Sequence, residues 1–514
     1  MPKSISLWRE SRSGWLLLAA ALVAASLFRS IDHDEGQYVA AVALMRHRLP
    51  YRDFPYLQTP LQPLLFAPLA WACEGWLFPT LRIVNALLVA AAVAVIACAA
   101  RSAGASPRGA GLAALVLATS HTALFAATVA RNDALPLLFH VIGLWLFVPV
   151  AREGASGTAR RALLAGLMLG AAASAKINYG LPAAAVGLFA LLRWRVLGLQ
   201  VVLALALGGL LGGLPTALLW SLAPDAARFG IIDYGLRAPV EWRMLNGQAF
   251  MLQAPLSLLR LARFLAQGLG LIALIAIICT MARKRSGGKE PITLLLDLMI
   301  VAGLLAAWLP RPIYVQYLGP LLPALFVRFA LLSDGPFWRG TAGRVLIGLL
   351  MVAGTAQTAA DVVGNVARGV SPPLATAAEA RAIGRSVRSA GARGQIVTLS
   401  PERVVDSGLA LDPRLATGLF LFRTRSVLTA AEARAFHALT ARNVFAGLDS
   451  LPPAAILTGF EGTPGPAAPR GLDALLVGWA RARGYRAQAR PPATLYVRPP
   501  GLAVPEPRRA DAKM

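Results

Sequence analysis

Apolar runs of about membrane length recur from Gly14 to about Gly364, and a water-soluble core could not absorb them all. A transmembrane helix needs about 20 mostly apolar residues. The runs fall near 14–30, 81–100, 109–127, 133–150, 163–175, 181–192, 196–222, 258–282, 291–309, 317–332 and 344–365. They predict about eleven spanning helices, with those at 163–175 and 181–192 short for the task. Only 15% of residues are charged, against about 25% in soluble domains. A larger core cannot make up the difference, because single soluble cores stop growing near roughly 250–300 residues. The expected fold is therefore a polytopic α-helical membrane protein.

A net charge of +25 would suggest nucleic acid in a soluble chain. Here the basic residues gather between apolar runs, as the positive-inside bias requires, and no nucleic-acid-binding motif with interleaved aromatics is present. Lys3, Arg9 and Arg12 precede the first run, and no small-x-small cleavage site follows it. We read an uncleaved first helix with a cytoplasmic N-terminus. Inner connections then hold Arg101 and Arg108, Arg152 with Arg160 and Arg161, Arg193 and Arg195, Arg283 through Lys289, and Arg339 with Arg344. The short outer ones hold Arg131, Lys176 and Arg311 singly. The long outer segment 31–80 departs from the bias with Arg46, Arg48 and Arg52. Its Pro-rich piece 59–71 is too short and broken to span, and reads as interfacial.

An odd number of spans puts everything after about residue 366 outside. There, helices near 375–389, 430–440 and 472–482 alternate with strands near 395–399, 454–458 and 494–497. This predicts a small periplasmic α/β domain over 367–497, separable in folding from the membrane domain 1–366. Residues 498–514 read as a disordered end. Cys73, Cys98 and Cys279 fit neither a zinc site nor a disulfide framework. The Ala- and Arg-rich composition points to a bacterial inner membrane.

Four ionisable clusters emerge on the same side in this topology: Asp32-His33-Asp34-Glu35, Arg131-Asn132-Asp133, Lys176 and Arg311. Each has an ordinary explanation. Asp34 and Asp133 could simply start helices, Lys176 could snorkel, and a lone interfacial arginine needs no task. Their coincidence argues otherwise, since ionisable groups at membrane depth are by default functional candidates. Carboxylates facing isolated cations suit a reaction between an anionic lipid phosphate and a hydroxyl or amine acceptor. The carboxylate takes the acceptor's proton, and the cations stabilise the departing phosphate.

Asp34-Glu35 after the first helix, with Tyr38 following, resembles the GT-C membrane glycosyltransferases. The likeness is to the branch of glycosyltransferase family 39 that holds protein O-mannosyltransferases and the lipid A aminoarabinose transferase. Tyr51-Arg52-Asp53-Phe54, Thr59-Pro60-Leu61, Arg131-Asn132-Asp133, Lys176, and Gln316-Tyr317 with Pro320 and Pro323 are similar to later family elements. Many relatives carry Lys-Pro where this chain has Thr59-Pro60, which makes Arg52 a candidate substitute for that lysine. The resemblance implies inverting transfer of a sugar from a polyprenyl-phosphate donor to a lipid, glycan or protein acceptor. It implies Asp34 as base, Glu35 shaping its field or contacting substrate, and Asp133 orienting acceptor or base. Lys176 and Arg311 would hold the donor phosphate, with Arg52, Arg131, Tyr38 and Tyr317 as further substrate contacts. Adjacent carboxylates could hold a divalent cation, but no further ligand set is evident. A transporter or lipid flippase is the competing reading, but its binding groups would be expected at the midplane of related halves.

Overall fold

The computed structural model describes residues 12–153, 158–283 and 290–500. Lys284, Arg285 and Lys289 of one predicted inner loop, and the predicted tail past residue 500, lie outside them. The helices that matter are α1 (Arg12–Phe28), α2 (Glu35–Leu44), α3 (Leu61–Ala72), α4 (Leu77–Ala103), α5 (Pro107–Ala118) and α6 (His121–Thr128). Then come α7 (Ala134–Glu153), α8 (Thr158–Ala175), α9 (Gly180–Leu192), α10 (Leu199–Leu222), α11 (Tyr234–Leu245) and α12 (Ala254–Ala266). The series closes with α13 (Gly270–Arg283), α14 (Pro291–Trp308), α15 (Leu322–Ala330), α16 (Thr341–Ala367) and α17 (Pro372–Ser389).

All eleven predicted runs fall on helices, but not all on membrane-length ones. Among the described residues α4, α7, α10, α14 and α16 are long and apolar enough to cross, and two bent pairs raise the number to at most seven. The run at 109–127 bends by 59° between α5 and α6, and that at 258–282 by 100° between α12 and α13. At the first break the Ser120 hydroxyl accepts from the Ala123 N–H and starts a new helix. The second break turns at Gly268, whose φ of +126° suits a residue without a Cβ. The two breaks meet: the His121 N–H donates to the Gln267 carbonyl, so backbone groups freed by one are taken up by the other. The run at 317–332 shortens to the nine-residue α15, after a single turn at Val315–Leu318.

Glycines allow α8 and α10 to touch backbone to backbone. A Cβ on Gly166 would lie 2.1 Å from the Leu205 carbonyl, and one on Gly208 would lie 2.0 Å from that of Leu163. Gly170 and Gly212 repeat the contact one turn on, so each helix presents a Gly-x-x-x-Gly face.

Beyond α17 lie β1 (Gln395–Val397), β2 (Ala410–Leu411), β3 (Ala455–Thr458), β4 (Arg486–Arg490) and β5 (Ala493–Val497), ordered β2-β1-β3-β5-β4. β1 runs parallel to β2 and β3, while β5 is antiparallel to β3 and β4. The three predicted strands are present. β2 is too short to be read from sequence, and β4 (Arg-Ala-Gln-Ala-Arg) too polar.

Both faces of the sheet pack against segments from the helical part of the chain. Alternate residues Ile396, Leu457 and Leu495 pack with Ala40 and Ala41 of α2 and with Tyr51, Phe54 and Tyr56. The other face, with Val397, Ile456 and Tyr496, packs with Leu57, Phe229 and Tyr234. Both long segments between helices, 31–80 and 223–257, thus serve as covers for the sheet.

Candidate functional site

The site lies where the helical bundle meets the α/β unit, around the first turn of α2. Asp34 occupies the N-cap position of that helix, yet its side chain caps nothing. It turns to Arg131 instead: Nη1 of Arg131 donates to Asp34 Oδ2 at 2.5 Å and to Asp32 Oδ1 at 2.9 Å. The simple helix-start explanation therefore fails for Asp34. The Arg131 Nε also lies 3.5 Å from Asp133 Oδ2, and the other Asp133 oxygen accepts from the Lys176 ammonium. Two cations and three carboxylates from three separate turns form one continuous ionic chain.

Aromatic faces line it. The Arg131 guanidinium sits 5.7 Å from the Tyr38 ring centroid and 5.3 Å from that of Phe125, and Lys176 Nζ sits 5.9 Å from that of Tyr317. A cavity beneath reaches Asp133, Tyr179 and Gln316. The turn carrying Arg131 is held by Asn85, whose amide donates to the carbonyls of Val129 and Arg131 at 2.7 and 2.8 Å. Gln62 adds a 3.3 Å bond to the Arg131 carbonyl.

Burial alone would push the Asp34 carboxyl up. The Arg131 guanidinium, with a hydrogen bond from His33, reverses this and holds it well below the usual carboxylate range. Arg423, on the α/β unit, acts in the same direction. That unit also brings the Glu402 carboxyl against Gly36 of α2 and holds Glu461 beside Ser400. Burial pushes Glu402 up to about 8 and, together with Asp473, pushes Glu461 up to about 7.

Glu35 differs from its neighbour Asp34. It is fully buried, so it has no surface with which to contact substrate. Its oxygens accept from Arg82 Nε at 2.8 Å and Nη2 at 2.6 Å, from the Ala130 N–H, and from the Asp32 N–H at 2.8 Å. The remaining Arg82 donors go to the carbonyls of Ser26, Arg29 and Ser30. All five guanidinium N–H groups are thereby used. This knot ties the end of α1, the start of α2, α4, and the turn before α7. Sequence reasoning missed Arg82 and Asn85, although an arginine within an apolar run is a signal in itself.

Two expected phosphate ligands stand apart from the chain of charges. Arg52 is about half-exposed and bound through Nε and Nη2 to its own neighbour Asp53, at 2.9 and 2.8 Å. Arg311 is exposed, with its guanidinium 5.4 Å from the Trp308 ring centroid and Nη1 3.5 Å from the Leu252 carbonyl. Thr59 is buried with an unpartnered hydroxyl. Ligand atoms of Asp32, His33 and Asp34 lie within 4.8 Å of one another, as a divalent cation would need. Arg131 already donates to both carboxylates there, so a guanidinium occupies the oxygens that a metal would need.

No protein-family profile and no curated protein matches the chain by sequence. Solved structures do match. ArnT from Cupriavidus metallidurans in the apo state aligns with TM-score 0.58 at 16% identity, covering 96% of this chain and 100% of that one. The same protein bound to undecaprenyl phosphate gives TM-score 0.59 at 15% identity, covering 96% and 98%. The chain has the GT-C fold of ArnT over nearly its whole length.

Proposed function

We propose that this protein is a membrane glycosyltransferase that moves a sugar from a polyprenyl-phosphate donor to an envelope acceptor. The observation that carries this reading is the diversion of the Asp34 carboxylate from helix capping to a buried ionic chain with Arg131, Asp133 and Lys176. ArnT, of the same fold, has been captured with undecaprenyl phosphate, which supports a lipid-phosphate donor. The chain crosses a bacterial inner membrane with its N-terminus in the cytoplasm. Residues 1–366 form the catalytic membrane domain, and 367–497 a periplasmic unit closed over segments 31–80 and 223–257.

In this reading Asp34 accepts the proton of an acceptor hydroxyl or amine. The acceptor atom bonds to the anomeric carbon from the face opposite the phosphate. The anomeric C–O bond breaks, and its electron pair leaves on the phosphate, which Lys176 and Arg131 stabilise. Asp133 holds Lys176 in place, Tyr38 and Tyr317 wall the site, and Glu35 acts as a positioning residue through Arg82. A carboxylate held anionic by Arg131 is a weak base. A donor phosphate that shares Arg131 loosens that hold, and the basicity of Asp34 then rises towards the ordinary range.

Asp34→Asn is expected to slow transfer from an undecaprenyl-phosphate sugar by about 10²–10⁴-fold with donor affinity retained. Lys176→Ala is expected to weaken donor binding as well. Asp53→Asn, in the Arg52 pair, is the mild control. Near-wild-type turnover in a folded Asp34→Asn variant would remove Asp34 from the chemistry.

A further inference from the structure

Arg423 follows the short helix Leu419–Phe422 in the α/β unit. Its guanidinium carbon lies 4.5 Å from the Phe420 ring centroid and 5.4 Å from that of Trp242 in α11. The Tyr234 hydroxyl donates to the Phe420 carbonyl at 3.1 Å and offers its oxygen to Arg423. An arginine held against aromatic rings keeps its N–H edge available for a planar, two-pronged acceptor.

No such acceptor is in place. Among the described residues Arg423 has no ion-pair partner, and its buried Nε has no hydrogen bond. Glu241, beside Trp242 on α11, is occupied by the N–H groups of Arg425 and Ser426 and by the Ser426 hydroxyl. The ionisable groups that feel the Arg423 charge are Asp34, His33, Glu461 and Tyr234. Asp34 is already engaged by Arg131. A half-buried cation without a counter-ion is costly to keep. This one faces the site from the α/β unit, whereas Arg131 and Lys176 belong to the helical bundle.

We infer that Arg423, on its Phe420–Trp242 shelf, binds an oxyanion, carboxylate or phosphate, carried by the acceptor, and so selects the acceptor. The inference rests on the glycosyl-transfer reading, in which the bundle cations take the donor phosphate. It also gives the 223–257 segment a task, since Trp242 and Tyr234 both come from there.

The test uses the full chain in phosphatidylcholine nanodiscs, titrated calorimetrically with glucose 1-phosphate, glucuronate and uncharged methyl glucoside. The wild type should bind at least one charged probe more tightly than the neutral one, and the stronger of the two identifies the anion. Arg423→Met should weaken that binding about tenfold or more, the scale of a charge-assisted two-pronged contact. Arg423→Lys, which keeps the charge and loses the fork, should fold and show an intermediate loss. Arg425→Met should change nothing, and undecaprenyl phosphate affinity should be unaltered in all three variants. Equal binding of charged and neutral probes by the wild type overturns the inference. So does an Arg423→Met or Arg423→Lys variant that binds like the wild type, or a parallel loss of undecaprenyl phosphate. Failure of the wild type to bind undecaprenyl phosphate at all would instead sink the glycosyl-transfer reading, and the probe titrations would still report on Arg423.

Discussion

Glu35→Gln should damage the fold where Asp34→Asn damages the chemistry. Arg82 has no exposed side-chain surface, and Glu35 supplies two of its five acceptors and its whole counter-charge. The amide leaves that guanidinium charged and buried without compensation. Breaking such a pair from one side costs about 3–5 kcal/mol. The chain carbonyls of Ser26, Arg29 and Ser30 still hold three donors, which argues for the lower half of that range. Arg82→Met should cost as much, because it strips the same charge pair and frees those three carbonyls. Combining Arg82→Met with Glu35→Gln should cost less than the sum of the single changes by roughly 1–3 kcal/mol, the coupling of residues in one network. The assay is thermal unfolding in detergent, with Asp34→Asn as comparator. We expect a fall of about 5 °C or more for Glu35→Gln and little change for Asp34→Asn, whose carboxylate is partly open to solvent. If Glu35→Gln melts with the wild type, or if the single costs simply add, the knot does not hold the site together.

Glu402 titrates near 8 in the folded chain against 4.5 when free, so the folded state keeps a proton that the unfolded chain releases as pH rises between those values. Stability should therefore decline through that window, and Glu402→Gln should abolish on the order of 3 kcal/mol of the decline between pH 5 and pH 8, read as melting midpoint against pH. Gly208→Val would drive a side chain into the Leu163 carbonyl and should cost about 1–3 kcal/mol, whereas Gly213→Ala, with open space around it, should be mild; the comparison is again by thermal unfolding. A reporter fused after residue 370 should be active outside the cytoplasm and one fused near Lys284 inside, and finding both on one side would overturn the topology.

Asp34, Arg131, Asp133 and Lys176 were legible because charge next to apolar runs is rare enough to count. The difference in duty between Asp34 and Glu35 was not. Consecutive residues on a helix point about 100° apart, and only packing decides that one faces Arg131 and the other Arg82. Arg82 itself obeys the rule that exposed the other four, but its partner is 47 positions away, beyond the reach of any local pattern. Arg52 is the opposite case, since its partner is the adjacent Asp53. The helical runs were readable as composition, and the breaks at Ser120 and Gly268 were not, because each is stabilised by the other. Arg423 was hidden among many arginines in a basic C-terminal region, where only its neighbours distinguish it.

The knot around Glu35 also sets a schedule for biosynthesis. Chains emerge at about 5–20 residues per second, so Arg82 follows Glu35 by 47 residues, or roughly 2–10 s. Ala130, whose N–H also binds Glu35, follows by 95. Until then Asp32, Asp34 and Glu35 lack these partners, and water must solvate the three carboxylates. Closing the knot then fixes the end of α1, the start of α2 and α4 against one another.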